Sequence, residues 1–231
     1  MTERLQNATF FPPVDTALAD PNGLLAMGGD LSVARLLDAY RHGIFPWFNP
    51  GEPILWWCPD PRMVLVPGEV RVPRSLAKRI RNSGFELRVD SAFADVMRAC
   101  AAPREDAGGT WISPVMIAAY SRLFEAGYAH SVETWRDGQL VGGLYGVAIG
   151  RMFYGESMFH RVTDASKIAV AHLVQFMVQR GYGMIDCQMQ TSHLASLGAR
   201  EIPREEFARC LNALVNSPDQ FEPWNLHEQN S

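Results

Sequence analysis

The chain has 231 residues, of which 47% are hydrophobic and 20% charged, and its formal net charge is −4. This composition is typical of a globular protein with an ample core, and it excludes a basic field over the whole molecule, so any RNA contact must come from a local patch. The first residues contain no apolar run of signal-peptide length, and no stretch approaches the roughly 18 apolar residues of a membrane span. The four cysteines are far apart and form no C-x-x-C pair. We therefore expect a cytoplasmic protein without disulfides, a structural zinc site or a membrane partner.

The first 62 residues are predicted to form a small N-terminal domain. Residues 1–30 look irregular, and a helix capped by Ser32 then runs from Val33 to about His42. Five prolines in residues 44–62 argue against a long helix or a central strand. Five aromatic residues lie among these prolines, namely Phe45, Trp47, Phe48, Trp56 and Trp57. Either they form a small core that holds a stiff loop together, or some of them form a platform for stacking; both can hold at once.

Residues 63–231 are predicted to form the larger domain. Its elements are a helix over 73–83, a strand over 85–89, helices to about 101 and over 114–126, an antiparallel meander over 130–154, a buried helix over 165–180, a strand over 184–188, a short helix near 193 and a last helix over 203–215. The first of these helices is strongly basic, and it carries Arg71, Arg74, Lys78, Arg79 and Arg81 in or beside it without an acidic residue. Such a run is either a solvated face or a site for phosphate groups.

A polar pair lies on the strand over 184–188. Asp186 and Gln188 are two residues apart, so their side chains share one face of the strand. Glu156 follows shortly after the strand predicted over 151–154. If these two strands are neighbours, the three polar side chains meet at one strand end, where they could transfer a proton or hold a cation.

The order helix, three antiparallel strands, helix and strand is similar to that of the acetyltransferase-like (GNAT-like) fold. The predicted fold class is therefore α+β, with a mixed sheet flanked by helices and a small α+β domain before it. Users of acyl-CoA carry a glycine-rich loop that binds pyrophosphate between strand and helix. The corresponding segment here, residues 156–167, contains no glycine, which argues against acetyl-CoA as the donor.

Several long motifs resemble those of the leucyl/phenylalanyl-tRNA–protein transferase family over nearly the whole chain. They are GLLAMGGDLS (23–32), AYRHGIFPWFNPGEPILWWCPDPR (39–62), TWIS (110–113), GESMF (155–159), ASK (165–167), IDCQ (185–188) and HLASLGAREIPREEF (193–207). The resemblance implies an enzyme that moves Leu or Phe, and also Met, from aminoacyl-tRNA to proteins with N-terminal Arg or Lys, which marks them for degradation. It also implies that Asp186 and Gln188 are the catalytic pair and that Glu156 is their acidic partner.

The chemistry of such a reaction fits these residues. The donor ester is already activated, so we expect no metal, ATP or other cofactor. An α-amine with a pKa of about 7.7–8.0 must attack in its neutral form. We expect Asp186 to hold and orient the amine with Gln188 as its partner, and Glu156 to face the basic side chain of the acceptor. An aspartate with an ordinary pKa is a weak base, so the vicinal ribose hydroxyl is an alternative route for the proton.

The donor amino acid requires an apolar pocket. The candidates for this pocket and for the adjoining adenosine are Trp47, Trp111, Tyr120, Leu144, Phe153, Val170, Leu173, Met177 and Ile185. The alternative is that several of these residues are simply core. Two other functions fit less well. A cell-wall peptidyltransferase would usually carry duplicated domains, and a non-catalytic binder of aminoacyl-RNA would not need two carboxylates and an amide at one strand end. No extended apolar surface helix is predicted, so we expect a monomer.

Overall fold

The computed structural model describes residues 3–5, 10–70, 72–82, 84–102, 110–218 and 224. The N-terminal part forms a small sheet with one helix. Its elements are β1 (Glu3–Leu5), β2 (Leu24–Gly28), α1 (Val33–Arg41), β3 (Phe45–Pro46) and β4 (Leu55–Trp57). The strand order is β1-β2-β4-β3. The predicted helix is confirmed, and the Ser32 side chain accepts a hydrogen bond from the backbone N–H of Arg35 as its cap.

The larger part is built on a seven-stranded mixed sheet. Its elements are β5 (Arg62–Leu65), α2 (Arg74–Asn82), β6 (Glu86–Val89), α3 (Phe93–Ala101), α4 (Pro114–Glu125), β7 (Ala129–Arg136), β8 (Gln139–Ile149), β9 (Met152–His160), α5 (Ala165–Gln179), β10 (Met184–Gln188), α6 (Ser192–Ser196), β11 (Arg200–Ile202) and α7 (Arg204–Val215). The strand order is β11-β5-β10-β9-β8-β7-β6. Strands β9 and β10 are parallel, and the other neighbouring pairs are antiparallel. The predicted α+β class, a mixed sheet flanked by helices, is confirmed.

Helices cover both faces of this sheet. Leu144 and Phe153 pack in the cluster that includes α5, whereas their neighbours Tyr145 and Tyr154 pack in the cluster that includes α3 and α4. This is the alternation that strands buried on both faces show. Helix α5 carries apolar residues almost all round, because it lies between the sheet and α2.

Two strands differ from the prediction in a way that matters for the site. Strand β9 continues to His160, so Glu156 lies within a strand and not after one. Gly155 suggests a turn in the sequence, but it pairs with Gly146 at an irregularity in the β8–β9 ladder. Strand β5 is not predicted, because it follows directly on the proline-rich segment; it pairs with β10 and brings Arg62 beside Asp186.

Within the described residues, no helix is long and apolar enough to cross a membrane. The same residues contain no group of three or more His, Cys, Asp or Glu side chains that could hold a metal ion.

Candidate active site

A cavity of about 730 Å³ lies beside the parallel pair β9 and β10. Side chains from β8, β9, β10 and α5 line it, and the N-terminal segment from Phe45 to Trp47 contributes to its wall. The cavity therefore uses residues from both parts of the chain. Its size falls in the range of small-molecule and cofactor sites.

The Glu156 carboxylate is held by three donors at the edge of this cavity. Tyr40 donates to Oε1 (2.7 Å), Tyr120 donates to Oε2 (3.0 Å), and the Gln188 amide nitrogen donates to Oε1 (3.0 Å). The side chain is 8% exposed. A carboxylate can accept about four hydrogen bonds, so these contacts leave one acceptor position on Oε2.

Burial raises the pKa of Glu156 to about 7, although the hydrogen bonds from Tyr40 and Tyr120 act in the opposite direction. The two tyrosine hydroxyls also contact each other closely. The three groups make three oxygen–oxygen contacts, Tyr40 with Tyr120 and each tyrosine with Glu156. Each contact needs one proton to be a hydrogen bond, and the two hydroxyls supply only two. A proton on Glu156 would supply the third. The cluster can therefore hold or release a proton near neutral pH.

Asp186 is fully buried and forms an ion pair with Arg62. Arg62 donates through Nε to Oδ1 (2.8 Å) and through an Nη nitrogen to Oδ2 (2.6 Å). The Arg62 side chain is 1% exposed, and its guanidinium lies between the rings of Phe45 and Phe207. This geometry corrects one expectation: the Asp186 carboxylate faces Arg62 and not the cavity, because β5 supplies a bidentate partner that the sequence did not predict.

Gln188 connects Asp186 to Glu156. Its backbone N–H donates to Asp186 Oδ1 (2.8 Å), and its side-chain amide reaches Glu156. The φ angle of Gln188 is +63°, a left-handed conformation that costs of order 1–3 kcal/mol for a non-glycine residue. The hydrogen bond to Asp186 helps to hold this conformation, and the ladder between β10 and β5 is irregular at the same place.

The cavity brings together most of the sequence-predicted site residues. Its lining includes two of the three predicted polar residues, five apolar residues of the sheet and α5, and two tryptophans: Glu156, Gln188, Leu144, Phe153, Val170, Leu173, Ile185, Trp47 and Trp111. Trp47 is 38% exposed and packs edge-on against Trp57, whereas Trp56 is buried in the core. Trp56 therefore belongs to the core, as one interpretation of the aromatic segment expects, whereas stacking on Trp47 at the cavity stays a prediction.

Two predicted pocket residues do not line the cavity, which corrects the expectation for them. Tyr120 is fully buried and reaches Glu156 from the α4 side. Met177 is fully buried in the core that surrounds α5, because it lies on the next turn of the helix after Leu173.

The basic helix α2 exposes Arg74, Lys78, Arg79 and Arg81, while Leu76 packs inward. Arg79 forms an ion pair with Asp164 before α5 (3.3 Å). Arg71 lies outside the described residues.

Sequence reasoning missed two residues that shape the site. Arg62 precedes the apolar run Met63–Val66, which is a signal for a buried strand. Tyr40 belongs to the apolar stripe of α1, and a hydroxyl on such a stripe usually has a buried partner. Nothing in their sequence spacing points to Asp186 or Glu156.

Comparisons with known proteins identify the family of the chain. The family model of leucyl/phenylalanyl-tRNA protein transferase matches residues 64–212, and the model of its N-terminal domain matches residues 29–60. A leucyl/phenylalanyl-tRNA–protein transferase from Thiobacillus denitrificans is 72% identical over 226 residues, which cover 98% of this chain and 99% of that protein. One from Nitrosomonas europaea is 62% identical over 224 residues, covering 97% of this chain and 95% of that protein.

Solved structures resemble the chain less closely. A GCN5-related N-acetyltransferase from Kribbella flavida has a TM-score of 0.38 at 17% identity, with 74% of this chain and 60% of that chain covered. L-PGS from Bacillus licheniformis has a TM-score of 0.40 at 13% identity, with 77% and 59% covered.

The sequence relatives define this chain as a transferase. It belongs to the leucyl/phenylalanyl-tRNA protein transferase family, as the motifs in its sequence imply.

Proposed function

We propose that the protein transfers Leu or Phe, and also Met, from aminoacyl-tRNA to the α-amine of proteins that begin with Arg or Lys, and so marks them for degradation. Membership of the family supports the reaction. The observation that carries its assignment to this site is the meeting of Gln188 and Glu156 at the open cavity, 3.0 Å apart.

The apolar end of the cavity is proposed to take the donor side chain. Five apolar side chains line this end of the cavity: Leu144, Phe153, Val170, Leu173 and Ile185. Burying a side chain of the size of Leu or Phe there is favourable by about 1.5–3 kcal/mol. Trp47 and Trp111, which line the cavity elsewhere, are proposed to stack on or border the adenosine.

Glu156 is proposed to face the basic side chain of the acceptor. Its free acceptor position on Oε2 suits one N–H of a guanidinium or ammonium group. An arriving positive charge favours the ionised carboxylate, so binding of the acceptor should drive the proton off Glu156.

Gln188 is proposed to orient the α-amine. Its amide nitrogen donates to Glu156, which aims the amide oxygen away from that carboxylate, and no described residue donates to this oxygen. The oxygen can therefore accept an N–H of the amine. Asp186 acts one step further back, as a positioning residue that fixes the backbone of Gln188.

The reaction then needs little more than alignment. The amine nitrogen bonds to the ester carbonyl carbon, the bond from that carbon to the ribose oxygen breaks, and one N–H proton passes to the ribose oxygen by way of the vicinal ribose hydroxyl. Holding the two reactants in this geometry can supply up to about 7–11 kcal/mol of the barrier.

The tRNA backbone is proposed to lie along α2, where Arg74, Lys78, Arg79 and Arg81, with Arg71 before them, provide the positive charge. We further propose that the protein acts in the cytoplasm as a monomer, without a metal or other cofactor. We propose residues 1–62 as the small domain and residues 63–231 as the transfer domain; the boundary falls at Arg62, the first residue of β5.

The test is transfer of radiolabelled leucine from charged tRNA to a peptide that begins with arginine. The matched control is the same peptide with an acetylated N-terminus. We expect label on the free peptide and none on the acetylated one. Label on neither, with charged tRNA still bound, would contradict the proposed reaction and favour a protein that only binds aminoacyl-RNA.

A further inference from the structure

Trp224 lies beyond the last helix, α7. Its side chain is 5% exposed and packs in the same apolar cluster as α5. Its ring contacts those of Phe176 (centroids 4.7 Å apart), Phe153 (5.8 Å) and Tyr182 (6.4 Å).

The Trp224 ring is also held from the sheet. The His130 ring stacks on it almost in parallel, with centroids 3.9 Å apart and planes inclined by 5°. His130 is fixed in turn, because its Nδ1 lies 2.8 Å from the Asp90 carboxylate. Asp90 also accepts a hydrogen bond from the backbone N–H of Ser131.

Among the rings that the structure describes, Phe153 alone belongs to both the cavity wall and the contacts of Trp224. Trp224 itself does not line the cavity, so it packs on a part of Phe153 that faces away from the opening. Gly146 fixes another side of the same ring, because a Cβ there would lie 2.4 Å from Phe153 Cζ. The Phe153 ring therefore cannot move away from the cavity while Trp224 and Gly146 stay in place.

We infer that Trp224 is a specificity-determining residue, which sets the depth of the donor pocket by holding Phe153 in position. The inference rests on the proposed function, because it assigns the apolar end of the cavity to the donor side chain. Removing the indole leaves space into which the Phe153 ring can tilt. The pocket then becomes deeper, which favours the longer Phe side chain over Leu.

The test compares kcat/KM for phenylalanyl-tRNA and leucyl-tRNA with one arginine-beginning peptide. In Trp224→Leu we expect the Phe-to-Leu ratio to rise by about tenfold, which is the discrimination that roughly one methylene gives in an apolar pocket. In Trp224→Phe, where a ring remains against Phe153, the ratio should stay within about threefold of wild type.

The matched control is Phe124→Leu. Phe124 stacks on Phe93 (centroids 4.7 Å apart) and lies outside the cavity wall, so this variant loses aromatic packing without touching the pocket. Its ratio should equal that of the wild type. Circular dichroism establishes that each variant is folded. If Trp224→Leu does not fold, Phe176→Leu takes its place with the same expected direction, because it removes a ring on which Trp224 lies.

An unchanged ratio in a folded Trp224→Leu or Phe176→Leu protein would overturn the inference, and so would an equal shift in Phe124→Leu. These results are distinct from a failure of the proposed function. In that case the wild type transfers neither amino acid, whereas here it transfers both.

Discussion

The buried ion pair between Arg62 and Asp186 gives the sharpest prediction for stability. In Asp186→Asn the carboxylate disappears and the guanidinium stays buried between Phe45 and Phe207. The side chains of Arg62 and Asp186 are 1% and 0% exposed, so water cannot solvate the guanidinium that loses its partner. Breaking such a pair from one side costs about 3–5 kcal/mol. Since whole proteins are stable by about 5–15 kcal/mol, this loss is a large fraction of the total.

Urea unfolding, followed by tryptophan fluorescence, measures this change in the free energy of unfolding. The matched control is Asp95→Asn, which breaks the ion pair with Arg98 (2.6 Å) where both side chains are 64% exposed. That substitution should cost no more than about 1 kcal/mol. An Asp186→Asn protein as stable as Asp95→Asn would refute the assignment of Arg62 and Asp186 as a desolvated pair.

A double variant separates stability from function at the same pair. Arg62→Met with Asp186→Leu removes both charges, so most of the lost stability should return. The leucine side chain cannot accept the hydrogen bond from the backbone N–H of Gln188. We therefore expect a stable protein with slow transfer. A stable double variant with the wild-type rate would show that Asp186 does not position Gln188.

Three further predictions concern charge. As pH falls from 8 to 6, Glu156 becomes neutral near its pKa of about 7, so KM for an arginine-beginning acceptor should rise. In Glu156→Gln this KM should be high at every pH, and plots of KM against pH that run parallel for the two proteins would contradict the role of Glu156 in binding the acceptor. Because the pKa of Glu156 is raised, ionising this residue lowers the stability of the fold. The loss begins as pH rises above the ordinary pKa of 4.5, grows until pH reaches about 7, and is complete above that pH. The effect of Glu156→Gln on the free energy of unfolding should therefore be more favourable at pH 8 than at pH 4.5, by up to roughly 3 kcal/mol; equal melting shifts at both pH values would argue against it. On α2, Lys78→Glu should weaken tRNA binding and flatten its salt dependence, whereas the exposed Arg209→Glu on α7 should not; equal losses would exclude a specific role for α2.

The sequence predicts the helices and the central strands because their signals are local. Ser32 and Ser113 both cap helices through hydrogen bonds to the backbone three residues on. The turn at Asp137-Gly138 joins β7 and β8 as its dipeptide indicates. In each case a few neighbouring residues determine the structure.

The parts that the sequence does not predict depend on contacts between distant residues. Strand β5 contains an apolar run, but it is short and directly follows Pro61, so the sequence does not show with which strands it pairs. Its neighbours β10 and β11 stabilise it. Tyr40 meets Glu156 across 116 positions of the chain, and Arg62 meets Asp186 across 124. Periodicity within an element gives no information on such pairs.

The sequence indicates which polar residues can meet at the candidate site but not how they are arranged there. The alternation of Asp186 and Gln188 indicates a shared face, yet the left-handed φ of Gln188 turns its amide toward Glu156 while Asp186 pairs with Arg62. A single irregular residue at the end of β10 therefore separates the two roles.

The most direct test of this account is the single-turnover rate of leucine transfer to an arginine-beginning peptide by the wild type and by Gln188→Ala. If Gln188 orients the amine at this cavity, the wild type forms leucyl-peptide and the variant is slower by about 10²-fold or more, the typical loss for one positioned hydrogen-bonding group. Binding of charged tRNA should be the same for both proteins. A Gln188→Ala protein that transfers leucine at the wild-type rate would contradict the account.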